Sequence, residues 1–399
     1  MELLDKVLEF SQLAVENVNV DNLEKREVFE LIPWEEKIVG LYGLRWVWKT
    51  TILVQKYLEY PNDSVYISMD WWILKWVSLF EIVKELYKVY KKRYFFIDEI
   101  HYYSNWTEDL KNIYDLLPVK LYFSGSNKIA VYRRWADLSR RVIFYYIPIF
   151  SFREYLNITY WYRFPKLKFE DIFDINNYTN FISKISITQL KKYFRYWQFW
   201  FYYENPSVYE LKLYWIIRKM LYEDGLVYEK FDVTIDLEKI LYYISNSVHS
   251  ELSLNSLGKK LGIHPVTVQK YLLFLEEVGL VYNVKKYWNL SDRIRKEFKP
   301  YLTATNFLYL YYSWLENTLI KWKVRENFFV MCLKNFFYNI SIFYKTYPDF
   351  VVEYNGRILN FEIWGISKKQ KWKNVFIVKD DILIWRENIL PLWIFWFLW

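Results

Sequence analysis

The sequence has little glycine, cysteine or histidine. Of 399 residues, 9 are glycine, one is cysteine (Cys332) and three are histidine. A single cysteine excludes an intrachain disulfide framework and suits a reducing compartment, so a cytoplasmic location is expected. The histidines, His101, His249 and His264, are too scattered along the chain to predict a zinc site.

Long apolar runs are also absent. The run ILPLWIFWFLW at 389–399 is shorter than the roughly 20 residues that a membrane helix needs. It is predicted to be a buried strand or docking tail, with a peripheral membrane contact as the alternative. The opening MELLDKVLEF carries acids and lacks a long apolar core, so neither a signal peptide nor a membrane span is predicted.

Aromatic residues are abundant by contrast. Tryptophan, tyrosine and phenylalanine make up 23% of the chain, with 21 tryptophans, and 53% of the residues are hydrophobic. A chain of this length and apolar content can build two or three domains with real cores. The net charge of +8 is compatible with nucleic acid or an acidic surface as partner, although excess lysine without such a role is the alternative.

One segment has most of a phosphate-binding loop. GLRWVWKTT follows the short apolar run KIVGLY and precedes a stretch with helical spacing. Gly43, Lys49 and Thr50 match the pattern Gly-x4-Gly-Lys-Thr, in which backbone N–H groups and a helix N-terminus meet anionic oxygens. Lys49 is predicted to reach the terminal phosphates of ATP, and Thr50 to bind Mg²⁺. The predicted nucleotide-binding residues are Gly43, Leu44, Arg45, Trp46, Val47, Trp48, Lys49, Thr50 and Thr51.

Trp48 occupies the second glycine position of this pattern. Glycine is used there because the chain passes close to the phosphates, often with φ above zero. An indole would intrude or open the loop, and each lost hydrogen bond to a charged partner costs roughly 1.5–3 kcal/mol. Trp48 is interpreted as one case in which tryptophan stands where glycine is expected. Intact and impaired ATP hydrolysis both remain open.

Two later apolar runs end in polar residues that suit the same site. In RYFFIDEIH, Asp98 and Glu99 follow a predicted buried strand, and ligands bind at the carboxyl ends of parallel strands. Asp98 is predicted to hold the magnesium shell, and Glu99 to orient or deprotonate water. In VKLYFSGSN, Ser126 or Asn127 would contact the γ-phosphate or the water. Arg141 precedes another apolar strand.

The first 160 residues resemble the archaeal and bacterial AAA-type ATPases, a STAND-like family of P-loop proteins. The stretches that carry the resemblance are GLYGLRWVWKTT, FFIDEIHYYSNWTEDLKNIYD, YFSGSN and LSRRVIFYYIPIFSFREYL. The resemblance assigns nucleotide roles to Lys49, Thr50, Asp98 and Glu99. It also implies that Asn127 is a sensor residue and that Arg141 faces phosphate.

The middle of the chain is predicted to be helical and then to form a winged helix. Residues 156–245 are rich in Tyr, Phe, Ile and Lys and are interpreted as a lid packed with aromatic side chains. In LSLNSLGKKLGIHPVTVQKYLLFLEEVGLVYNVKKY, two helices flank a turn at Gly262 and a hairpin follows. Contact with DNA and contact with a protein partner are both open. For DNA, the predicted contacts are Thr267, Gln269, Lys270, Lys259 and Lys260.

Near the C-terminus, YPDFVVEYNGRILNFEIWG predicts a hairpin around Asn355-Gly356. A two-residue loop would place Asp349 opposite Glu362, and opposed carboxylates repel unless a cation lies between them. This arrangement resembles the PD-(D/E)xK nucleases, which implies a tentative metal site of Glu326, Asp349 and Glu362. Trp364 stands where the nuclease lysine is expected, and Lys368 and Lys369 lie beyond it.

KPYLTATNFLYLYY, RENFF and FEIWGISKKQK further resemble a C-terminal domain of unknown function that often follows this ATPase type. Ala304 and Asn306 depart from the Asp and Gly of that domain. An inactive nuclease fold used for packing is therefore the alternative to a metal nuclease.

The sequence as a whole predicts an α/β protein. It would comprise a P-loop NTPase core with a parallel sheet (1–155), a helical lid (156–245), a winged helix-turn-helix (246–300) and an α/β nuclease-like domain (301–399). The expected function is ATP binding with Mg²⁺, coupled to a conformational switch. The alternative is a DNA-binding protein with a degenerate nucleotide site.

Overall fold

The computed structural model of the protein describes residues 2–18, 20, 24–125, 138–224, 234–246, 254–287, 298–311, 318–336, 340–364, 374–384 and 388–398. The chain forms two compact units, Met1–Pro148 and Ile149–Trp399. The predicted division into four segments stays a prediction.

The first unit is built on five parallel strands, which confirms the predicted parallel sheet. The strands are β1 (Ile38–Tyr42), β2 (Ser64–Ser68), β3 (Tyr94–Asp98), β4 (Lys120–Gly125) and β5 (Ile143–Tyr146). Their order is β2-β3-β4-β1-β5. The helices are α1 (Glu2–Asn17), α2 (Lys49–Tyr57), α3 (Leu79–Tyr90) and α4 (Trp106–Leu116).

The central strands of this sheet are buried because both faces are apolar. IVGLY of β1 is buried at every position, and so are the four residues Phe95–Asp98 of β3. Continuous apolar runs of this kind are typical of parallel strands covered on both sides. Helix α3 is fixed at its start by Ser78, whose hydroxyl accepts the N–H of Glu81.

The second unit begins with helices. They are α5 (Phe152–Tyr160), α6 (Thr179–Ile182), α7 (Ile187–Tyr196), α8 (Phe201–Glu204), α9 (Tyr209–Lys219), a π-helical turn (Met220–Asp224) and α10 (Thr234–Asn246). Two of them start with capping boxes, Ser151 with Glu154 and Ser186 with Gln189. The predicted helical character of 156–245 is thus present in the residues described, and its role as a lid stays a prediction.

Two helices and two strands follow. They are α11 (Leu254–Leu261), α12 (Pro265–Glu277), β6 (Val281–Lys285) and β7 (Phe298–Leu302), with β6 and β7 antiparallel. Gly262 turns the chain between the helices with φ of +70°. Gly258 allows the turn to pack against α11, since an added Cβ would lie 2.5 Å from the Ile263 carbonyl oxygen. The winged-helix interpretation of this arrangement stays a prediction.

The last part is a mixed sheet next to two helices. Its elements are α13 (Thr305–Tyr311), α14 (Thr318–Phe336), β8 (Ile340–Tyr344), β9 (Phe350–Tyr354), β10 (Arg357–Trp364), β11 (Phe376–Lys379) and β12 (Ile389–Pro391). The strand order is β12-β11-β10-β9-β8. Strands β8, β9 and β10 are antiparallel, whereas β10, β11 and β12 are parallel.

The predicted hairpin is confirmed. Val352 pairs with Leu359 and Phe350 with Phe361. Asn355 and Gly356 both have positive φ, as a type I′ turn requires. After β12 the apolar tail continues as a buried 3-10 helix, Leu392–Phe397, rather than as a long strand. Among the helices described, none is long and apolar enough to cross a membrane.

Candidate functional site

The loop between β1 and α2 lies at the carboxyl edge of the first sheet. Gly43 directly follows β1 and lies in close contact with the segment after β5, since an added Cβ would lie 2.2 Å from the Ile147 carbonyl oxygen. Glycine is therefore required at position 43 by a backbone approach. The chain then passes Leu44–Trp48 and enters α2 at Lys49.

Lys49 is buried inside this loop. Its Nζ donates to the carbonyl oxygens of Gly43 at 3.1 Å and of Leu44 at 2.8 Å. A buried ammonium needs such acceptors because its charge is costly away from water. The loop thus holds a cation at the N-terminus of α2, which is itself favourable to anions.

Asp98, at the end of β3, is surrounded by donors. Thr50 Oγ1 donates to Asp98 Oδ2 at 2.6 Å, and Tyr66 Oη donates to the same oxygen at 2.7 Å. The other oxygen accepts from the Ser124 hydroxyl and from the backbone N–H of Glu99 at 3.2 Å. Burial, reinforced by Asp98, raises the pKa of Tyr66 far above its usual range, so Tyr66 stays a donor. The two predicted magnesium ligands, Thr50 and Asp98, are brought together.

Glu99 follows directly, with its backbone in the left-handed region at φ of 50°. This conformation is uncommon for a non-glycine residue and often marks a functional position. Its Oε2 lies 3.2 Å from Nδ1 of His101, whose ring packs at 4.5 Å from that of Tyr102. His101 therefore contacts the Glu99 carboxylate and also packs against Tyr102 in the loop.

Two donors to Asp98 were not assigned by the sequence reasoning. Tyr66 lies on β2 and Ser124 on β4, the two strands that flank β3. Ser124 lies in the run VKLYFSGSN, for which the sequence predicts Ser126 or Asn127 as the polar contact instead. Both of those residues lie outside the described part of the chain. The signal for Ser124 was a hydroxyl at the end of a buried strand.

Arg141 requires a correction. It stands just before β5, which runs parallel to β1 with Val39 opposite Ile143. The start of β5 is thus at the amino edge of the sheet, whereas Gly43 lies at the carboxyl edge. There Arg141 forms an exposed ion pair with Asp115, with Nη2 at 2.9 Å from Oδ2. The expected phosphate-facing role within this unit is not met, because Arg141 lies at the opposite end of the strands.

The loop tryptophans adopt backbone conformations typical of glycine. Trp46 has φ of 66° and Trp48 has φ of 69°, both in the left-handed region. The Trp48 side chain is buried, and Trp46 is half exposed. The prediction that position 48 calls for glycine geometry is consistent with this backbone.

The C-terminal acids also lie close to one another. The backbone N–H of Asp349 donates to Glu362 Oε2 at 3.0 Å, and that of Ile363 donates to Asp349 Oδ2 at 2.9 Å. Glu326, on α14, accepts from Lys299 Nζ at 2.6 Å and from Tyr301 Oη at 3.2 Å. The acids are thus supplied with protein donors.

This cluster carries excess negative charge. Burial raises the pKa of Asp349 to about 7, with further contributions from Glu326 and Glu362. Across the described ranges, no group of three His, Cys, Asp or Glu side chains is arranged to hold a metal ion. The residues of the tentative metal site, Glu326, Asp349 and Glu362, form a hydrogen-bonded acid cluster with the backbone, Lys299 and Tyr301 as donors, and metal binding there stays a prediction.

The structure also places the residues that depart from the two C-terminal resemblances, Ala304 and Asn306 from the domain of unknown function and Trp364 from the nucleases. Ala304 and Trp364 are buried, and Asn306 accepts from Tyr209 Oη at 2.8 Å within the helical core. Lys368 and Lys369 lie outside the described residues.

Comparison with known proteins supports the interpretation of the first unit. Residues 35–156 match a family described as an AAA domain, and residues 203–317 match a domain of unknown function. The second match ends before the Asn355-Gly356 hairpin. The first match supports a P-loop core of AAA type with ATP-binding capacity.

One relative aligns along much of the chain. It is the uncharacterized protein MJ1637 of Methanocaldococcus jannaschii, with 31% identity over 303 residues, which cover 69% of this chain and 62% of the relative. The chain therefore spans less than two thirds of that protein.

Solved structures provide distant likenesses only. A katanin structure described for its self-assembly is 20% identical, covers 41% of this chain and 59% of its own, and has a TM-score of 0.24. AMPPCP-bound DnaA from Aquifex aeolicus is 15% identical, with 67% and 88% covered and a TM-score of 0.25. Scores this low do not establish a shared arrangement.

Proposed function

We propose that the first unit binds ATP with Mg²⁺ and hydrolyses it. The observation that carries the proposal is the 2.6 Å hydrogen bond between Thr50 and Asp98. Thr50 directly follows Lys49, whose ammonium group is bound by the loop carbonyls. A hydroxyl and a carboxylate are hard oxygen donors, and Mg²⁺ in nucleotide sites takes one or two such ligands besides phosphates and water. The residues therefore fit the ion.

Each residue has a distinct task in this proposal. Lys49 would exchange the carbonyls of Gly43 and Leu44 for phosphate oxygens, which are stronger acceptors. Thr50 and Asp98 would hold Mg²⁺, which neutralises charge on the phosphates when bound. Tyr66 and Ser124 would keep the Asp98 carboxylate oriented.

Glu99 would orient or deprotonate the attacking water. Its carboxylate is next to Asp98 in sequence and contacts His101 at 3.2 Å. Release of that contact would direct Glu99 towards the phosphates, and His101 would then be a positioning residue. Asn127 remains proposed as a sensor of the γ-phosphate.

Titration of labelled ATP with Mg²⁺ tests binding. Lys49→Ala should weaken binding on the order of 100-fold, because charged hydrogen bonds to phosphate are lost. Lys88→Ala, at an exposed position of α3, should leave binding unchanged. Glu99→Gln should retain binding and lose turnover by a factor of about 10²–10⁴, as expected for loss of a general base. Equal affinity of the parent chain and Lys49→Ala would contradict the proposal.

We also propose that the nucleotide state is transmitted to the second unit as a conformational switch. Limited proteolysis of the full chain with and without ATP tests this extension. A cleavage pattern in 149–399 that is indifferent to ATP, in a chain shown to bind it, would reject the switch and leave ATP binding intact.

DNA binding through α11 and α12 is a second candidate. Lys259 and Lys270 are exposed, and the helices meet at the turn of Gly262 as in DNA-binding modules. Lys260 is already engaged, since its Nζ lies 3.2 Å from the Tyr243 hydroxyl. Thr267 and Gln269 are partly buried.

A salt series separates this candidate from the first. Duplex binding should weaken steeply with salt, lose part of its salt dependence in Lys270→Ala and persist in Lys49→Ala. Binding that is insensitive to both Lys259→Ala and Lys270→Ala would remove the helix pair as the contact. A protein partner at the same helices is the remaining alternative.

A further inference from the structure

Three tryptophans adopt a backbone conformation that suits glycine. Among the described residues, six non-glycine positions have positive φ, and three of them are Trp46 (66°), Trp48 (69°) and Trp161 (58°). In the left-handed region the Cβ of an L-residue crowds the following carbonyl, and for a bulky residue this is a genuine outlier. Half of the strained positions thus belong to one residue type.

Two of these positions also have a local role that glycine usually fills. Trp48 is the N-cap of α2 and the second glycine position of the phosphate-loop pattern. Trp161 directly follows α5 in the left-handed conformation, where glycine is the commonest way to end a helix. Trp46 lies in the same loop as Trp48.

Two of the three tryptophans with positive φ are also half exposed or more, whereas Trp48 is buried. Trp106, Trp393 and Trp396 are fully buried, as a large apolar side chain should be. Trp161 is 74% exposed, and Trp46 is 50% exposed. At Trp46 and Trp161 an exposed indole therefore lies on a backbone conformation that is unfavourable for a bulky residue.

The composition shows the same imbalance. The chain has 21 tryptophans but only 9 glycines. Glycine is thus rarer than in an average protein, as expected if tryptophan stands at some glycine positions. UGA, which some translation systems read as tryptophan, differs from the glycine codon GGA by one base. We infer that Trp46, Trp48 and Trp161 occupy glycine positions, and that the organism which carries the gene reads their codon as glycine.

The consequence for the candidate site rests on the proposed function. With glycine at positions 46 and 48 the loop loses two side chains and two strained φ angles beside Lys49, so its N–H groups can approach phosphate. The ligand class would be a nucleoside triphosphate. Gly43 and Lys49 would keep their positions in the loop.

Thermal unfolding tests the conformational part without any ligand. At positions 46, 48 and 161 the glycine variant should melt above the alanine variant by roughly 2–4 °C, because alanine keeps the Cβ that the left-handed region disfavours. Trp215, exposed within helix α9, is the matched control. There Trp215→Gly should melt below Trp215→Ala, since glycine is the poorer helix former. Alanine above glycine at 46, 48 and 161 would overturn the inference.

ATP titration then separates this inference from the proposed function. Trp48→Gly, alone and with Trp46→Gly, should tighten ATP binding at least tenfold. If the melting order holds but neither variant binds ATP, the nucleotide function is wrong and the glycine assignment stands. If the parent binds ATP as tightly as the variants, glycine at positions 46 and 48 is not needed for the loop N–H groups to approach phosphate, and this consequence of the inference is wrong.

Peptide mass spectrometry of the protein isolated from cells that carry its own gene tests the codon directly. The expected result is glycine at positions 46, 48 and 161 and tryptophan at positions 106, 393 and 396. Tryptophan at all six positions would overturn the codon assignment.

Discussion

Asp98 ends strand β3 in the first unit and Asp349 directly precedes strand β9 in the second, but their surroundings differ in charge. Around Asp98 the protein places hydroxyls of Thr50, Tyr66 and Ser124, all of which donate to the carboxylate. Asp349 is instead next to two further carboxylates, and burial, with a smaller contribution from Glu326 and Glu362, raises its pKa to about 7.

The difference shows how one residue type can take two roles. A carboxylate that accepts from several neutral donors has its oxygens held in a fixed orientation, which a cation ligand requires. A carboxylate among carboxylates instead retains a proton. The first arrangement suits a nucleotide site, whereas the second responds to pH.

The largest effect is expected when the acceptor at the first site is removed. Asp98→Ala would leave the hydroxyls of Tyr66 and Ser124 buried without this acceptor, at a cost of about 1–3 kcal/mol for each unsatisfied group. We expect a loss on the order of 3 kcal/mol or more in urea unfolding of the full chain. Asp98→Asn, which keeps one acceptor oxygen, should lose less. Equal stability of Asp98→Ala and the parent would break the comparison.

At the second site, removal of the charge should stabilise the fold. The folded-state pKa of Asp349, about 7, lies above its ordinary value of 3.8, so the folded state favours the protonated acid. Ionisation therefore costs the folded state more than the unfolded chain, and the free energy of unfolding falls as pH rises from about 4 to about 7. Asp349→Asn should be more stable than the parent at pH 8, on the order of a few kcal/mol, and should flatten this pH profile.

Two neighbours bear on that measurement. Lys299 opposes the effect by lowering the pKa of Asp349. Burial lowers the pKa of Lys323 to about 7, so its contribution changes above pH 7 rather than below. Unfolding profiles between pH 4 and 7 therefore isolate Asp349, and Glu353→Gln on the same hairpin is the control. An unchanged slope in Asp349→Asn would show that the acid cluster does not store a proton.

Two glycines sharpen the comparison at the level of the backbone. At Gly43 an added Cβ meets the Ile147 carbonyl oxygen at 2.2 Å, whereas at Gly356 nothing lies within 4 Å and only φ of +76° opposes a side chain. Gly43→Ala should destabilise by about 1–3 kcal/mol, as overpacking does. Gly356→Ala should cost about 1–2 kcal/mol, the cost of the left-handed region. Only the first should also weaken ATP binding, and the reverse ranking for ATP would contradict the placement of the site.

The sequence predicts those parts of the fold that depend on neighbours along the chain. Val352 faces Leu359 because a two-residue turn at Asn355-Gly356 leaves one register. The apolar runs of β1 and β3 are long enough to require a parallel sheet covered on both sides. Thr50 and Asp98 could be predicted to lie together because Thr50 follows the loop after β1 and Asp98 ends β3.

The rest depends on the order of strands, which local pattern does not encode. Tyr66 and Ser124 reach Asp98 because β2 and β4 flank β3. Lys299 reaches Glu326 from another element of the second unit. These donors could not be assigned from spacing, although each is a polar residue on a buried strand.

The smallest effect is expected at Arg141, which tests how far the first site extends. Arg141 lies before β5 at the amino edge of the sheet and pairs with Asp115 on the surface. Exposed ion pairs contribute little because water and salt screen them. Arg141→Ala should therefore leave the affinity for ATP unchanged and shift the melting temperature slightly, and Asp115→Asn should have the same small effect. Because a phosphate contact would cost affinity in Arg141→Ala but not in Asp115→Asn, a loss confined to the arginine variant would place Arg141 at a nucleotide after all, and only a second copy of the chain could then supply that nucleotide.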